Sequence, residues 1–274
     1  METKYSLVEK TGRFWASHED RLIGAISISG LKTYTYPFFT PEGNIVLQEC
    51  PPDHSHHQGI MVGQDFVNGH NFWAINHAIY PKNYQKQEGW QESVDENGVT
   101  ITQDLRWATN DGQAVLQEQR QTRFEAWEGC HFIEVTTTWH AIYGALYLGK
   151  TKEGGLGMRV HPLLETPWGG QIRSSAGNIG AEKVFDSLAD WIEVSGNVSG
   201  RDIGVVMMPH PSMKPIPWFA RDYGIHLYGP MRHEPVAVKA GEKFVLRVGF
   251  AAYDGKSDGT QGARAWEKYK ARKS

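Results

Sequence analysis

The chain has 274 residues, a formal net charge of -3, 40% apolar residues, 30 glycines and 10 tryptophans. That length can bury a substantial core, and the absence of a basic block argues against nucleic acid as a partner. No run approaches the roughly 20 apolar residues of a spanning helix, which argues against a membrane partner, and two cysteines, Cys50 and Cys130, are too few for a disulfide framework.

The first residues, Met1 to Lys10, are charged and lack the apolar stretch of a secretory leader, so a cytoplasmic protein with two free thiols is expected. Period-two alternation then recurs along the chain. Strand-like runs cover Leu22–Ser29 and Ile45–Glu49. From Pro51 to Trp90 alternation gives way to His, Asn, Gly and aromatic residues, the composition of a long functional excursion. Val99, Ile101, Leu105 and Trp107 next share a strand face, with Thr100, Thr102, Asp104 and Arg106 opposite. Leu116–Phe124 follows, and Asp111-Gly112 between the two runs reads as a hairpin turn. Ile133, Val135 and Trp139 share a further face, and Leu156–Val160, Trp191–Val194 and Ile203–Met208 continue the series. Turn signals stand at Pro41-Glu42-Gly43, Glu96-Asn97-Gly98 and Trp168-Gly169-Gly170.

Pro209 to Pro217 holds four prolines and must be extended or turning. Phe244, Leu246, Val248, Phe250 and Ala252 form the clearest apolar stripe. One helix is expected within residues 258–274, over Gly259 to Arg272, with Ala263, Trp266 and Lys270 along one face. The basic end at Lys268, Lys270, Arg272 and Lys273 then reads as its solvated terminus. Neither an internal repeat nor a linker interrupts the chain. The expected fold is therefore all-β, a two-sheet antiparallel β-sandwich or supersandwich with a C-terminal helix, forming one domain over residues 1–274.

Three clusters could carry chemistry. In Pro51-Pro52-Asp53-His54-Ser55-His56-His57-Gln58-Gly59 three imidazoles fall within four positions. If extended, this segment points His54 and His56 one way and His57 the other. Such a pair can do acid/base work or ligate a divalent metal ion, making His54 and His56 candidate ligands, although no third ligand is legible nearby. The plainer alternative is a loop whose histidines satisfy backbone groups.

In Thr151 to His161 the alternation of Leu156, Met158 and Val160 leaves Arg159 and His161 on the opposite face, with Glu153 just ahead. A carboxylate, a guanidinium and an imidazole on one sheet face suit proton transfer beside anion or hydroxyl recognition, whereas an exposed Glu153–Arg159 pair would be worth little. In Trp218 to His226, Arg221 and Asp222 could hold vicinal hydroxyls with Trp218 as a stacking platform; a turn closed by an Arg–Asp contact is the competing reading. Asp190 beside Trp191 is a weaker candidate for hydroxyl binding. Phosphate-loop, nucleophile-elbow and zinc-helix motifs are all missing, so no nucleotide cofactor is expected.

These segments resemble a bacterial family of unknown function labelled PmoA, or methane oxygenase PmoA. The resemblance runs through Pro51 to Gly59, Val67-Asn68-Gly69 with Phe72-Trp73, Lys152 to Val160, Ala189-Asp190-Trp191 with Ser195-Gly196, and Ala220 to Gly224. Gln58 stands where members of that family often carry a further histidine. A membrane-bound methane monooxygenase would need spanning helices, so that activity is rejected. The resemblance implies carbohydrate metabolism and a galactose-mutarotase-like shape. The expected function is a carbohydrate-active enzyme of lyase, isomerase or hydrolase type working on a sugar or keto-sugar glycoside. His54, His56, His57 or Glu153 would move the proton and Arg159 would stabilise negative charge. His161, Asp190, Trp218, Arg221 and Asp222 would bind the sugar on one concave sheet face. A non-catalytic sugar-binding or sensing domain is the alternative.

Overall fold

Strands that alternate in sequence pair mostly with their neighbours in the computed structural model, which describes residues 4–28, 30–75, 77 and 82–272. Two eight-stranded antiparallel sheets result. The first runs, in spatial order, Tyr5–Lys10, Arg13–His18, Arg21–Ser27, Tyr34–Phe38, Ile60–Gln64, Gly154–Arg159, Ile225–Tyr228 and Phe219–Ala220. The second runs Gln171–Ser174, Ile192–Val198, Arg201–Pro209, Lys243–Asp254, Cys130–His140, Ala114–Trp127, Gly98–Ala108 and Tyr84–Asp95. The all-β sandwich expected from the sequence is the fold found.

The alternation sets the core. Val99, Ile101 and Trp107 turn inward, as do Phe124, Ile133, Val135, Trp139, Val248 and Phe250, and they meet Ile26, Phe38, Ile60, Val62, Leu156 and Met158 of the first sheet in one apolar cluster. Burying such side chains stabilises by about 1.5–3 kcal/mol each. The hairpin at Asn110–Gly112 is present, closed by the Gly112 N–H donating to the Thr109 carbonyl at 2.9 Å. Both cysteines are free.

Some expectations shift. Ile45–Glu49 makes isolated bridges rather than a strand. The Pro51–Trp90 excursion contains the buried strand Ile60–Gln64 and the start of Tyr84–Asp95, with residues 76 and 78–81 outside the described residues. The first of the strand-like runs spans Arg21–Ser27, its expected last residue Ser29 lying outside the described residues.

The helix spans Thr260–Lys270, with 273–274, and so Lys273, likewise outside. It packs on the outer face of the second sheet through Gly262, Ala265 and Tyr269, not through Ala263 and Lys270, which are exposed. Gly262 lies against the Trp191 indole, where a Cβ would come within 2.5–2.9 Å of the ring, so this glycine sets the buried face. No helix among the described residues is long and apolar enough to cross a membrane.

The site lies on the face of the first sheet turned away from the second. Where Leu156 and Met158 enter the core, Gly155, Gly157 and Arg159 take the opposite face. Register places Met61 and Leu227 beside Gly157 and Ile225 beside Arg159. With Tyr34, Trp73 and Phe219 these form a second apolar cluster, a floor beneath the histidine-rich loop.

Candidate active site

The loop between Gln48 and Gly59 is a closed structure. Cys50 N–H donates to the His57 carbonyl at 2.9 Å, and Gly59 N–H to the Gln48 carbonyl at 2.9 Å. Inside it, His54 N–H donates to Pro51 O at 3.1 Å and His57 N–H to His54 O at 2.8 Å. Both bonds link residues three apart, so the segment is a pair of tight turns.

The extended geometry expected for His54, His56 and His57 is thereby overturned. His54 and His57 stack, their rings within 2° of parallel and centroids 4.7 Å apart, while His56 meets His57 edge-on at 4.4 Å and His54 at 5.7 Å. A turn brings residues i and i+3 together, whereas a strand would have paired i with i+2.

Arg159 joins this loop to the sheet. It is 2% exposed and donates to Asp53 at 3.0 Å, to Glu165 at 3.0 Å and to His57 Nδ1 at 3.2 Å. A guanidinium only donates, so His57 Nδ1 accepts and its proton sits on Nε2. Burial, then the neighbouring imidazoles and Arg159, push His57 far below the usual histidine value, which keeps it neutral. His56 is lowered to about 3, by burial first and then by Lys32, His54, His77 and Arg159.

Asp53 also accepts from His54 Nδ1 at 2.8 Å. Burial acts to raise this carboxyl, but the bonds from His54 and Arg159 outweigh it and hold Asp53 below its ordinary value. An ionised carboxylate only accepts, so His54 carries its proton on Nδ1, leaving Nε2 without a partner among the described residues. The His54 side chain is 35% exposed. Tyr223 lies parallel to it at 5.0 Å, under the Arg159 guanidinium at 5.1 Å. Burial and then Glu153 raise the Tyr223 phenol.

His54, His56, His57 and Arg159 are thus gathered in one place. Arg159 is engaged by two carboxylates and buried, so it organises the site rather than meeting developing charge on a ligand. Glu153 stands at the rim, 3.7 Å from Lys152 and close enough to influence Tyr223. Arg221 and Asp222 are exposed beside Tyr223, with the Arg221 guanidinium 5.9 Å from that ring.

Three candidates are placed elsewhere. Trp218 is 2% exposed in the core and donates Nε1–H to the Ala189 carbonyl at 2.9 Å, so its faces are unavailable for stacking. His161 caps the short helix Pro162–Leu164, its Nδ1 accepting from Leu163 N–H at 3.2 Å. Asp190 lines a separate hollow with Pro209, His210 and Trp266.

Several neighbours escaped sequence reasoning. Asp53 and Tyr223 stood beside chosen residues, and adjacency to His54 was an available signal for Asp53. Glu165 gave none, since its role comes from Arg159 and from Gln48 Nε2, which donates to it at 2.8 Å. Lys32 was equally silent: it is buried, donates to the His56 carbonyl at 2.8 Å, and is pushed down to about 7 by burial and then Arg120. His226, paired in register with Met158, lies on the core side of the first sheet, opposite the face of Arg159; neither ring nitrogen has a hydrogen-bond partner among the described residues, and burial lowers it to about 3. Among the described residues no group of three or more His, Cys, Asp or Glu side chains could hold a metal ion.

The fold is similar to solved structures of low sequence identity. A galactose 1-epimerase from Lactobacillus acidophilus NCFM shares 8% identity over 93% of this chain and 99% of that one, with a TM-score of 0.44. A galactose mutarotase-like protein from Lactobacillus casei ATCC 334 shares 8% over 91% and 100%, with a TM-score of 0.40. Likeness at this level carries no inference about the site or its reaction. No curated protein matches the sequence. A family model does match, over residues 10–267, and its description makes no mention of the PmoA label. The chain therefore belongs to the family of unknown function DUF6807.

Proposed function

We propose that the protein acts on a sugar, or on an oxidised keto sugar, by proton transfer, with His54 as the base. The observation that carries this reading is the Asp53–His54 pair: a carboxylate fixes the Nδ1–H tautomer at 2.8 Å and leaves Nε2 of a half-exposed ring as the free lone pair. A carbonyl in the sugar acidifies the neighbouring C–H, within reach of an imidazole base. As Nε2 takes that proton, the imidazolium that forms is stabilised by Asp53.

Tyr223 stays protonated because burial raises its phenol. Arg221 lies beside that ring, its guanidinium 5.9 Å from the centroid, and the phenolic proton would donate to the enolate oxygen. Epimerisation, elimination and hydration share this enolate. Arg221 and Asp222 at the rim supply donors and an acceptor for hydroxyls. Glu153, also at the rim, is the second candidate proton carrier. A metal held by His54 and His56 would need a further ligand.

The test is turnover of native and 3-keto glycosides by wild type, His54→Ala, Tyr223→Phe and Glu153→Ala, with melting curves showing that each variant folds. His54→Ala is expected to lower kcat/KM about 100-fold or more. Turnover undiminished by His54→Ala overturns the assignment. Sugar binding by a wild type that turns over none of the panel supports a binding or sensing domain instead.

A further inference from the structure

Beside the imidazole site lies a hollow of about 540 Å³ whose lining includes Thr166, Lys183, Phe185, Arg221 and Asp222. It touches the site at two points. Thr166 follows Glu165, the partner of Arg159, and its N–H donates to the Asp222 carbonyl at 2.9 Å. Arg221 stands between the two spaces, its guanidinium 5.9 Å from the Tyr223 ring on one side and 5.9 Å from the Phe185 ring on the other.

Resting on the proposed function, we infer that this hollow binds the second unit of a glycoside whose reacting unit lies at His54 and Tyr223, so that the substrate is a disaccharide or longer glycoside rather than a free monosaccharide. The two aromatic rings flank Arg221, each 5.9 Å from its guanidinium, so one side chain reaches both spaces. The lining suits a neutral sugar. Phe185 lines it, with Arg232 over its ring at 4.8 Å and Arg221 at 5.9 Å, and the cations Arg221 and Lys183 are balanced by the carboxylates of Asp222 and Glu182. Neither Arg221 nor Lys183 is held in an ion pair among the described residues, so both can turn to hydroxyls. The hollow is open to solvent, so a longer glycoside can extend out of it.

The experiment compares wild type with Lys183→Ala, Phe185→Ala and Ile179→Trp, a bulky replacement at an exposed rim position that fills the hollow without touching the imidazoles. Binding and turnover are measured with methyl glucosides and galactosides and with glucose- and galactose-containing disaccharides, each in native and 3-keto form. We expect disaccharide kcat/KM or affinity to fall about tenfold in Phe185→Ala and Ile179→Trp, with the methyl glycosides unchanged. Ile179→Trp guards against misfolding in Phe185→Ala. Equal effects on both classes, or none, overturn the inference while leaving the proposed function standing. A wild type that neither binds nor turns over any of the sugars overturns the proposed function itself.

Discussion

Arg159 shows how one side chain can matter without facing a ligand. Its guanidinium ties Asp53, His57 and Glu165 together, and Glu165 is only 12% exposed. Arg159→Met would leave that carboxylate buried without its cation, and a loss of roughly 3 kcal/mol in denaturant unfolding is expected. The buried histidines set the pH dependence. His56 and His226 are both lowered from 6.5 to about 3, and His57 is lowered further. An unfolded chain binds these protons near 6.5 and the folded one does not, so folding is favoured fully above that value and progressively less as pH falls from 6.5 towards 3. Each unfilled proton steepens the loss by up to about 1.4 kcal/mol per pH unit. Asp53 adds to the loss in the same direction once pH falls below its ordinary value. His226→Leu, which removes one of these groups where neither nitrogen is bonded, should flatten unfolding free energy against pH between 6.5 and 3. An unchanged slope would mean that His226 is protonated in the folded state.

At the level of elements, the strand Gly154–Arg159 positions the site by what its outer face lacks. A Cβ on Gly157 would collide with the His226 carbonyl and the Leu227 side chain, so glycine here lets the strand Ile225–Tyr228 approach Arg159. Gly157→Ala should cost about 1–3 kcal/mol and weaken sugar turnover through displaced Arg159; a variant as stable as wild type would refute that close approach. This strand was legible from Leu156, Met158 and Val160, because alternation is a local pattern. The loop Cys50–Gly59 was legible only as a place of interest. Its turns depend on bonds to Gln48 and on Arg159, 106 residues from Asp53, and no local rule reports such contacts. The helix was visible, but which residues it buries was not, because Gly262 looks featureless until Trp191 is placed against it.

Across the whole molecule, the two sheets enclose a polar network as well as apolar side chains. Glu118, fully buried, accepts from Arg120 at 2.6 and 2.8 Å, from Trp107 Nε1 at 2.6 Å and from Thr137 at 2.7 Å. Arg120 also donates to the Thr33 carbonyl at 2.7 Å, next to Lys32, whose amine holds the His56 carbonyl. The inter-sheet core is thereby connected to the loop above the first sheet. Arg120→Met is expected to lose about 3–5 kcal/mol by stranding Glu118, and Glu118→Met/Arg120→Met to recover most of it; a double variant no better than the single one would show that the ion pair itself supplies the stability. The sandwich and its core faces could be read from periodicity, whereas the convergence of Asp53, Arg159, Glu165 and Tyr223 could not, since it arises only when the sheet is assembled.

The central claim is that a sugar meets the open nitrogen of His54 beside the Tyr223 ring. Its most direct test is the NMR spectrum of nitrogen-labelled histidine side chains during titration with a sugar that binds without turning over. The account predicts that His54 Nε2 moves strongly while the cap residue His161 stays still. Saturated binding that leaves the His54 signal in place would contradict it.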